Sequence, residues 1–426
     1  WSRTDVDVTA YAGQRVRFGF YHYTLNDSGV GNGWFIDDIE VVTVPVIGSL
    51  PPFSEDFEGG LADWGADNGV WEVGTPTAGP AACYSGTQCA GTVLSGNYPS
   101  SADSRLISAP LELPAVAGSD QLHLRFWQWF NYYTSDTGTV QISVWDAGSG
   151  SWQPWADISD PVIHSSGAWS RTDVDVTAYA GQRVRFGFYH YTTNDAGLGN
   201  GWFIDDIEVV TVSVIGSQPP FSEDFEGGLA DWGADNGVWE IGTPTAGPAA
   251  CYSGTQCAGT VLSGNYPSSA DSRLISAPLE LPAVAGSDQL HLRFWQWFNY
   301  YTSDTGTVQI SVWDAGSGSW QPWADISDPV IHSSGAWSRT DVDVTAYAGQ
   351  RVRFGFYHYT LNDSGVGNGW FIDDIEVVTV PVIGSLPPFS EDFEGGLADW
   401  GADNGVWEVG TPTAGPAACY SGTQCA

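Results

Sequence analysis

The chain has 426 residues and carries 50 Asp and Glu against 13 basic residues, all of which are Arg, so its formal charge is -37. Nucleic acid and anionic membrane surfaces repel a protein this acidic, which excludes them as partners, whereas metal cations or a cationic partner are attracted. Its 22 Trp, 18 Tyr and 19 Phe can bury enough apolar surface to exclude disorder, and no run of 18 apolar residues predicts a membrane span.

The sequence repeats itself every 168 residues. The string WSRTDVDV begins at Trp1, Trp169 and Trp337, and the first two copies differ at only six positions. A period of this length is that of a whole domain rather than of a solenoid unit. Proline-containing stretches, in which paired prolines stiffen the backbone, are the best linkers; they lie at 44–52, 212–220 and 380–388.

These linkers divide the chain into four parts. Residues 1–47 are the C-terminal part of a repeat, 48–215 and 216–383 are complete β-sandwich repeats, and 384–426 are the N-terminal part of a further repeat. The two partial repeats are together too short to form one unit, and its central strands would be missing. We therefore expect a continuous and longer parent chain.

Within a complete repeat the apolar pattern is that of β-strands throughout. Alternating apolar residues between turn signals predict strands at 53–58, 70–73, 91–94, 104–113, 122–130, 140–144, 184–188 and 202–212. In the last of these, Ile204 and Ile207 are three residues apart, so both can be buried only if a bulge falls at Asp205 and Asp206. The sequence predicts an all-β fold of tandem jelly-roll-like antiparallel β-sandwich domains.

The six cysteines form three copies of one pattern, in which five residues including a glycine separate two Cys. Cytosolic metal sites usually have shorter spacings and more His, so we expect disulfides and an oxidising, extracellular location. The expected pairs are Cys83 with Cys89, Cys251 with Cys257, and Cys419 with Cys425.

Five motifs in order resemble a known family. They are FSEDFEGG at 53–60, WEVGTPT at 71–77, ADSRL at 102–106, AYAGQ at 178–182 and GWFIDDI at 201–207. Together they resemble the MAM-related jelly-roll domains of bacterial secreted proteins, of the immune-inhibitor-A-associated and choice-of-anchor J types. The resemblance implies a jelly roll for adhesion, binding or display outside the cell, often with a structural calcium ion, and it implies no catalytic activity.

Acidic residues near the first and last strands are candidate metal ligands. Because these strands can lie close together in a sandwich, we expect the carboxylates to converge on Ca²⁺, which takes six to eight oxygens. The alternative is separate surface acids that keep the protein soluble, with Arg105 pairing one of them. The candidates in the first repeat are Asp56, Glu58, Asp103, Asp205 and Asp206. Their counterparts in the second repeat are Asp224, Glu226, Asp271, Asp373 and Asp374.

Tryptophans on the strand at 122–130 are candidate binding residues. Trp127 and Trp129 fall on the face opposite Leu124 and Phe126, which suits a sugar platform, a contact with a neighbouring domain, or packing within the sandwich. Their counterparts are Trp295 and Trp297. Two sequons, at Asn26 and Asn362, are possible glycosylation sites.

No catalytic signature is present in the sequence, and the His residues are isolated, so we do not expect an enzyme. Near-identical copies joined by short linkers predict a structural segment of an extracellular filament or cell-surface stalk, whose partners are neighbouring copies of the same repeat. The alternative is a tandem carbohydrate-binding or adhesion module that gains avidity for glycans from repetition.

Overall fold

The structure is a computed structural model. It describes the whole chain except residues 1–2, 5, 25–30, 44–52, 62–63, 119, 194–196, 214–220, 231, 362–364, 381–390, 398–399 and 402–406. Most of each expected linker and both sequons, at Asn26 and Asn362, lie outside the described residues, so the domain limits and the glycosylation sites stay predictions.

The first complete repeat contains only β-strands and one 3₁₀ turn, Thr177–Tyr179, among its described residues. The strands are β1 (Phe53–Glu55), β2 (Gly65–Ala66), β3 (Trp71–Gly74), β4 (Cys89–Thr92), β5 (Asp103–Ile107), β6 (Leu111–Glu112), β7 (Gln121–Asn131), β8 (Thr137–Asp146), β9 (Ser151–Trp152), β10 (Ala156–Asp157), β11 (Ser170–Asp175), β12 (Arg183–Tyr191) and β13 (Gly201–Val212).

The second complete repeat has the same elements 168 residues later, with a 3₁₀ turn at Thr345–Tyr347. Its strands are β14 (Phe221–Glu223), β15 (Gly233–Ala234), β16 (Trp239–Gly242), β17 (Cys257–Thr260), β18 (Asp271–Ile275), β19 (Leu279–Glu280), β20 (Gln289–Asn299), β21 (Thr305–Asp314), β22 (Ser319–Trp320), β23 (Ala324–Asp325), β24 (Ser338–Asp343), β25 (Arg351–Tyr359) and β26 (Gly369–Val380).

Each repeat is an antiparallel sandwich of two sheets. In the first repeat the six-stranded sheet has the order β11-β7-β13-β4-β3, with β1 also paired to β13. The seven-stranded sheet has the order β10-β8-β12-β5-β2, with β6 paired to β12 and β9 paired to β8. The second repeat has the same two sheets, so the prediction of tandem antiparallel β-sandwich domains is confirmed.

Alternating side chains build one apolar core in each repeat. On β7, Leu124 and Phe126 point inward and are buried, while Trp127 and Trp129 point outward, as expected for a strand with one buried face. One core includes residues from Phe57 to Val209, and the other includes residues from Phe225 to Val377. Large aromatic rings dominate both cores, because each removes much apolar surface from water.

Two features of the strands differ in detail from the expectation. The expected strand at 104–113 is divided into β5 and β6, because Pro110 has no N–H to donate to the neighbouring strand. Four strands were not predicted: β2, β9 and β10, which have two residues each, and the edge strand β11, where two of the three inward residues, Ser170 and Thr172, are polar.

The predicted bulge lies in β13. The register between β13 and β7 shifts between Asp205 and Glu208, and Asp206 has a left-handed φ of 44°. Both Ile204 and Ile207 are fully buried as a result, which confirms the prediction.

The N-terminal segment shows what a strand needs besides its own sequence. Residues 1–47 nearly repeat the sequence of 169–215, yet their described part forms no strand and contains only a 3₁₀ turn at Thr9–Tyr11. In the first complete repeat the strands at the equivalent positions, β11, β12 and β13, pair with β7 and β8. No helix among the described residues has the length and apolar character needed to cross a membrane.

Candidate functional site

A disulfide-closed loop lies against the outer face of the six-stranded sheet. The structure contains the three expected disulfides, Cys83–Cys89, Cys251–Cys257 and Cys419–Cys425. Glu58 lies outside the first loop and binds its backbone. Its Oε1 accepts hydrogen bonds from the loop N–H groups of Gln88 (2.6 Å) and Thr87 (2.7 Å), and these bonds lower the pKa of Glu58. The loop is therefore fastened at its base by covalent and hydrogen bonds.

The two carboxylates at the bulge hold the other side of this loop. Asp205 Oδ2 accepts a hydrogen bond from the Ser85 N–H (3.0 Å), and Asp206 Oδ1 accepts one from Ser85 Oγ (2.9 Å). Burial raises the pKa of Asp205 to about 6, the Ser85 N–H opposes the rise, and the nearby Asp206 carboxylate adds to it. The second repeat has the same arrangement of Asp373 and Asp374 around Ser253.

The candidate metal ligands only partly converge. Glu58, Asp205 and Asp206 all bind one loop, as do Glu226, Asp373 and Asp374 in the second repeat. Asp56 Oδ1 instead accepts the Glu58 N–H, and Asp224 does the same for Glu226. Asp103 and Asp271 begin β5 and β18 in the opposite sheet. Arg105 pairs with Asp67 (2.9 Å).

The carboxylates that converge already have hydrogen-bond partners within the protein. Both Glu58 oxygens and both Asp205 oxygens already accept hydrogen bonds from the protein. Among the described residues, the grouping of three potential ligand atoms within 4.8 Å consists of Asp205 and the two disulfide sulfurs of Cys83 and Cys89, which are not thiolates. N–H and O–H groups of the loop and the N–H of Asp206 at the bulge therefore satisfy these carboxylates, and calcium stays a prediction.

The outward tryptophans of β7 contact the same repeat. Tyr84, in the disulfide loop, stacks on Trp127 with ring centroids 3.6 Å apart and planes 11° apart. Trp169 meets Tyr84 edge-on, and Trp129 packs edge-on against Phe203. The second repeat has the same stack between Tyr252 and Trp295, and the same contact of Trp297 with Phe371. One face of Trp127 is thus covered by Tyr84, a residue that is itself 41% exposed.

A second aromatic surface, which the sequence analysis did not identify, covers the outer face of the seven-stranded sheet. Three guanidinium groups alternate with four aromatic rings, with guanidinium carbons 4.2–5.7 Å from ring centroids. We call this row the Arg–Trp ladder; its order is Trp145, Arg183, Trp152, Arg185, Trp155, Arg105 and Tyr189. Gly187 makes room for it, since a Cβ there would lie 2.9 Å from the Trp155 ring.

The ladder recurs in the second repeat. It contains Arg273, Arg351 and Arg353 between Trp313, Trp320, Trp323 and Tyr357. The signal that could have identified it is the pair of Arg on alternate residues of β12, which must share one face of the strand. The tryptophans facing them come from β8, β9 and the segment before β10, and only the sheet pairing brings these together.

Consecutive repeats touch each other through this ladder. Trp320 Nε1 of the second repeat donates a hydrogen bond to Asp175 Oδ2 of the first (3.2 Å). One repeat earlier, Trp152 Nε1 donates to Asp7 Oδ2 (3.0 Å). Arg171 at the start of β11 donates to the carbonyl oxygens of Ala230 and Trp232 in the next repeat.

The fold and this surface define the class of the molecule, which is a tandem array of disulfide-containing antiparallel β-sandwich domains. No family profile matches the chain, so the MAM-type resemblance stays a prediction. Bacillopeptidase F of Bacillus subtilis (strain 168) is 29% identical over 189 residues, which are 44% of this chain and 12% of that protein. This chain therefore spans a small part of its curated relative.

Solved structures that resemble the chain have low sequence identity to it. The tandem CBM22-1–CBM22-2 domain of Paenibacillus barcinonensis Xyn10C is 16% identical and covers 80% of this chain and 100% of its own, with a TM-score of 0.27. The K2 cleaved adhesin domain of Lys-gingipain is 18% identical and covers 37% of this chain and 97% of its own, with a TM-score of 0.25. At these TM-scores the likeness carries no argument about this chain.

Proposed function

We propose that this chain is a stretch of an extracellular, tandem-repeat protein whose β-sandwich domains bind glycans in recognition or adhesion. One observation carries the proposal, namely the solvent-facing stack of Tyr84 on Trp127, repeated with the same 3.6 Å separation by Tyr252 and Trp295. An exposed, flat aromatic ring offers the apolar C–H face of a sugar a surface that water solvates poorly.

The surroundings of the stack suit a sugar ligand. Asp206 lies beside Tyr84, whose pKa is raised mainly by burial and further by the Asp206 charge. A carboxylate at the edge of a ring can accept hydrogen bonds from sugar hydroxyl groups. The disulfide and the bonds to Ser85 hold Tyr84 in place, so little conformational entropy is lost when a ligand binds.

Tandem repetition supports the same proposal. Two sites on one chain raise the apparent affinity for a polymeric glycan without any new contact, because the second binding event is intramolecular. Three disulfides favour an oxidising, extracellular compartment. The site is proposed for binding only, and the expectation that the chain is not an enzyme remains a prediction.

A glycan array probed with the 426-residue chain tests the proposal. We expect saturable binding to at least one polysaccharide, and loss of that binding in the variant Tyr84→Ala/Tyr252→Ala, because both stacking surfaces are removed. The matched control is Tyr133→Ala/Tyr301→Ala, which changes two tyrosines of similar exposure (48%) that lie outside the disulfide loops. Absence of binding by the wild-type chain, or equal binding by the two double variants, would contradict the proposal.

An extracellular filament or cell-surface stalk is a second candidate. The observation that favours it is the contact between consecutive repeats, which occurs at Asp7 with Trp152 and again at Asp175 with Trp320. A protein that joins its domains by the same contact each time can extend in one direction without a change of sequence. The two candidates are compatible, since a stalk can display binding sites along its length.

A further inference from the structure

We infer that the Arg–Trp ladder of each repeat is the docking surface for the β11 end of the preceding repeat, so that consecutive repeats form a fixed head-to-tail joint. The partner is thus a copy of the same repeat, and the ligand group is the Asp175 carboxylate, with the charge of Asp173 nearby. This inference is independent of glycan binding and concerns a different face of the sandwich.

The negative net charge of the chain explains why two repeats need a complementary surface in order to stay in contact. With a net charge of -37, two repeats in contact repel each other over most of their surfaces. Three of the five Arg in the first complete repeat are Arg105, Arg183 and Arg185 of the ladder. Arg105 is already paired with Asp67, so Arg183 and Arg185 give the ladder its cationic character and make it complementary to an acidic partner.

The second repeat's ladder meets such a partner. Asp175 Oδ2 accepts the Trp320 indole N–H at 3.2 Å. Burial lowers the pKa of Arg353 to about 10, and the charges of Asp175, Asp235 and Asp173 oppose that shift. Arg353 Nε is buried without a hydrogen-bond partner, so the rings of Trp320 and Trp323 and these carboxylates are what stabilise the guanidinium.

The contact is not peculiar to one pair of repeats. Asp7, which corresponds to Asp175 one repeat earlier, accepts the Trp152 indole N–H at 3.0 Å. Burial lowers the pKa of Arg185, and Asp7 is the first charge that opposes the shift. An Asp of one repeat therefore lies near a Trp and an Arg of the next repeat at both places. These are Asp7 with Trp152 and Arg185, and Asp175 with Trp320 and Arg353.

A second contact fixes the rotation of one repeat against the next. β11 packs against β15 of the following repeat. Arg171 donates to the carbonyl oxygens of Ala230 and Trp232, and a Cβ on Gly233 would lie 2.7 Å from Asp173 Cβ. In the next repeat Arg339 likewise donates to Trp400 O. Two separate contacts define the orientation of one repeat relative to the next, whereas a single contact would allow rotation about it.

Asp173 is held ready for this role within its own repeat. Burial would raise the pKa of Asp173, but His123 and then Arg125 outweigh it and hold the pKa well below the ordinary value. His123 Nδ1 is hydrogen-bonded to Asp173 Oδ1, and Arg125 Nε donates to Oδ2 at 2.7 Å. The carboxylate therefore stays ionised, and its charge is among those that oppose the pKa shift of Arg353 in the next repeat.

The two ends of a repeat are different surfaces, which makes the joint heterologous. Such an interface does not close on itself unless its rotation happens to close a ring, so it produces an extended array. Asp343 is the counterpart of Asp175 in the second repeat. Asp343 is exposed, whereas Asp175, which contacts the ladder of the second repeat, is half-buried.

Small-angle X-ray scattering of the 426-residue chain with Asp175→Arg tests the inference. The substitution places a cation against Arg353, so we expect the joint to open, the maximum dimension to change and the distance distribution to broaden. The matched control is Asp343→Arg. Asp175 and Asp343 accept the same local bond, from Thr177 N (2.9 Å) and Thr345 N (2.8 Å), but only Asp175 faces a ladder.

Each result decides the inference. A changed distribution for Asp175→Arg and an unchanged one for Asp343→Arg support it. Equal effects of the two substitutions, or no effect of either, would overturn it, because the ladder contact would then not determine the arrangement. Should Asp175→Arg lose its circular dichroism signal, Trp320→Phe replaces it, since that variant removes the indole N–H that Asp175 accepts and keeps a smaller aromatic ring. An unchanged distribution for Trp320→Phe would then overturn the inference.

Discussion

Asp205 is a buried carboxylate whose position is set by the bulge in β13. It is fully buried, and burial raises its pKa to about 6 from the ordinary 3.8 despite the hydrogen bond from Ser85. A raised folded-state pKa means that the ionised group opposes folding at neutral pH. This free-energy penalty falls as the pH drops through 6, because the carboxyl group becomes protonated in the folded protein. It is gone below pH 3.8, where the group is protonated in the unfolded chain as well.

The raised pKa of Asp205 gives a prediction for the variant Asp205→Asn. The variant lacks the penalty at every pH, so the free energy of unfolding of the wild type relative to the variant should rise by about 1 kcal/mol between pH 7 and pH 5. Denaturant titrations of both proteins measure the difference. The comparison cancels the opposite effect of His190, whose pKa burial lowers to about 3 in both proteins. A difference that is constant with pH would show that the pKa of Asp205 is ordinary.

The same experiment tests the calcium ion proposed from the sequence. A cation bound at Asp205 would hold the carboxylate ionised, so excess Ca²⁺ should abolish the pH dependence of the difference and raise the melting temperature. Excess chelator should restore both. Melting curves that are the same in calcium and in chelator, with no metal in the sample, would remove the calcium proposal.

At the scale of elements, the disulfide loop is the part that carries the aromatic stack. The loop has Gly86 at its centre, with a φ of 52°, and its backbone is held by Glu58 and Asp205. A left-handed backbone suits glycine, and a Cβ at this position would collide with the Glu58 carboxylate. Packing and conformation therefore both require a glycine at Gly86.

Gly86→Ala should loosen this loop at a cost of about 1–2 kcal/mol, the strain of a non-glycine residue in the left-handed region. Hydrogen exchange followed by mass spectrometry should show faster exchange in residues 83–89. The substitution changes the mass of the peptide that contains residues 83–89. Its mass therefore differs from that of the peptide with the wild-type sequence at 251–257, which is the internal reference. Gly96→Ala, where a Cβ meets no atom within 4 Å, is the control. Equal exchange in the two variants would contradict the role given to Gly86.

At the scale of the whole molecule, the joint between repeats decides whether the array is a rod or a string of independent domains. A joint that uses Asp175 with Trp320 and Arg171 with Trp232 gives each repeat one orientation relative to the last. The stalk or filament candidate then predicts beads at one constant spacing in negative-stain electron micrographs of native material. Compact particles, or beads at variable spacing, would contradict it.

The sequence by itself determined the features that depend on local pattern. The alternation along β7 and β12 predicted their buried faces, the spacing of Ile204 and Ile207 predicted the bulge, and the cysteine spacing predicted the disulfides. The 168-residue period predicted the tandem sandwich. Each of these follows from strand periodicity or short-range geometry, which neighbouring residues contain.

Tertiary structure alone decided which distant side chains meet. It separated Asp103 from Asp205 by placing them in opposite sheets, and it assembled the Arg–Trp ladder from strands paired far apart in the sequence. It also decided that β11, β12 and β13 form while the described part of 1–47, with nearly the same sequence, contains no strand. The physical reason is that a strand edge gains its hydrogen bonds and its apolar contacts from a partner, and the partner is specified elsewhere in the chain.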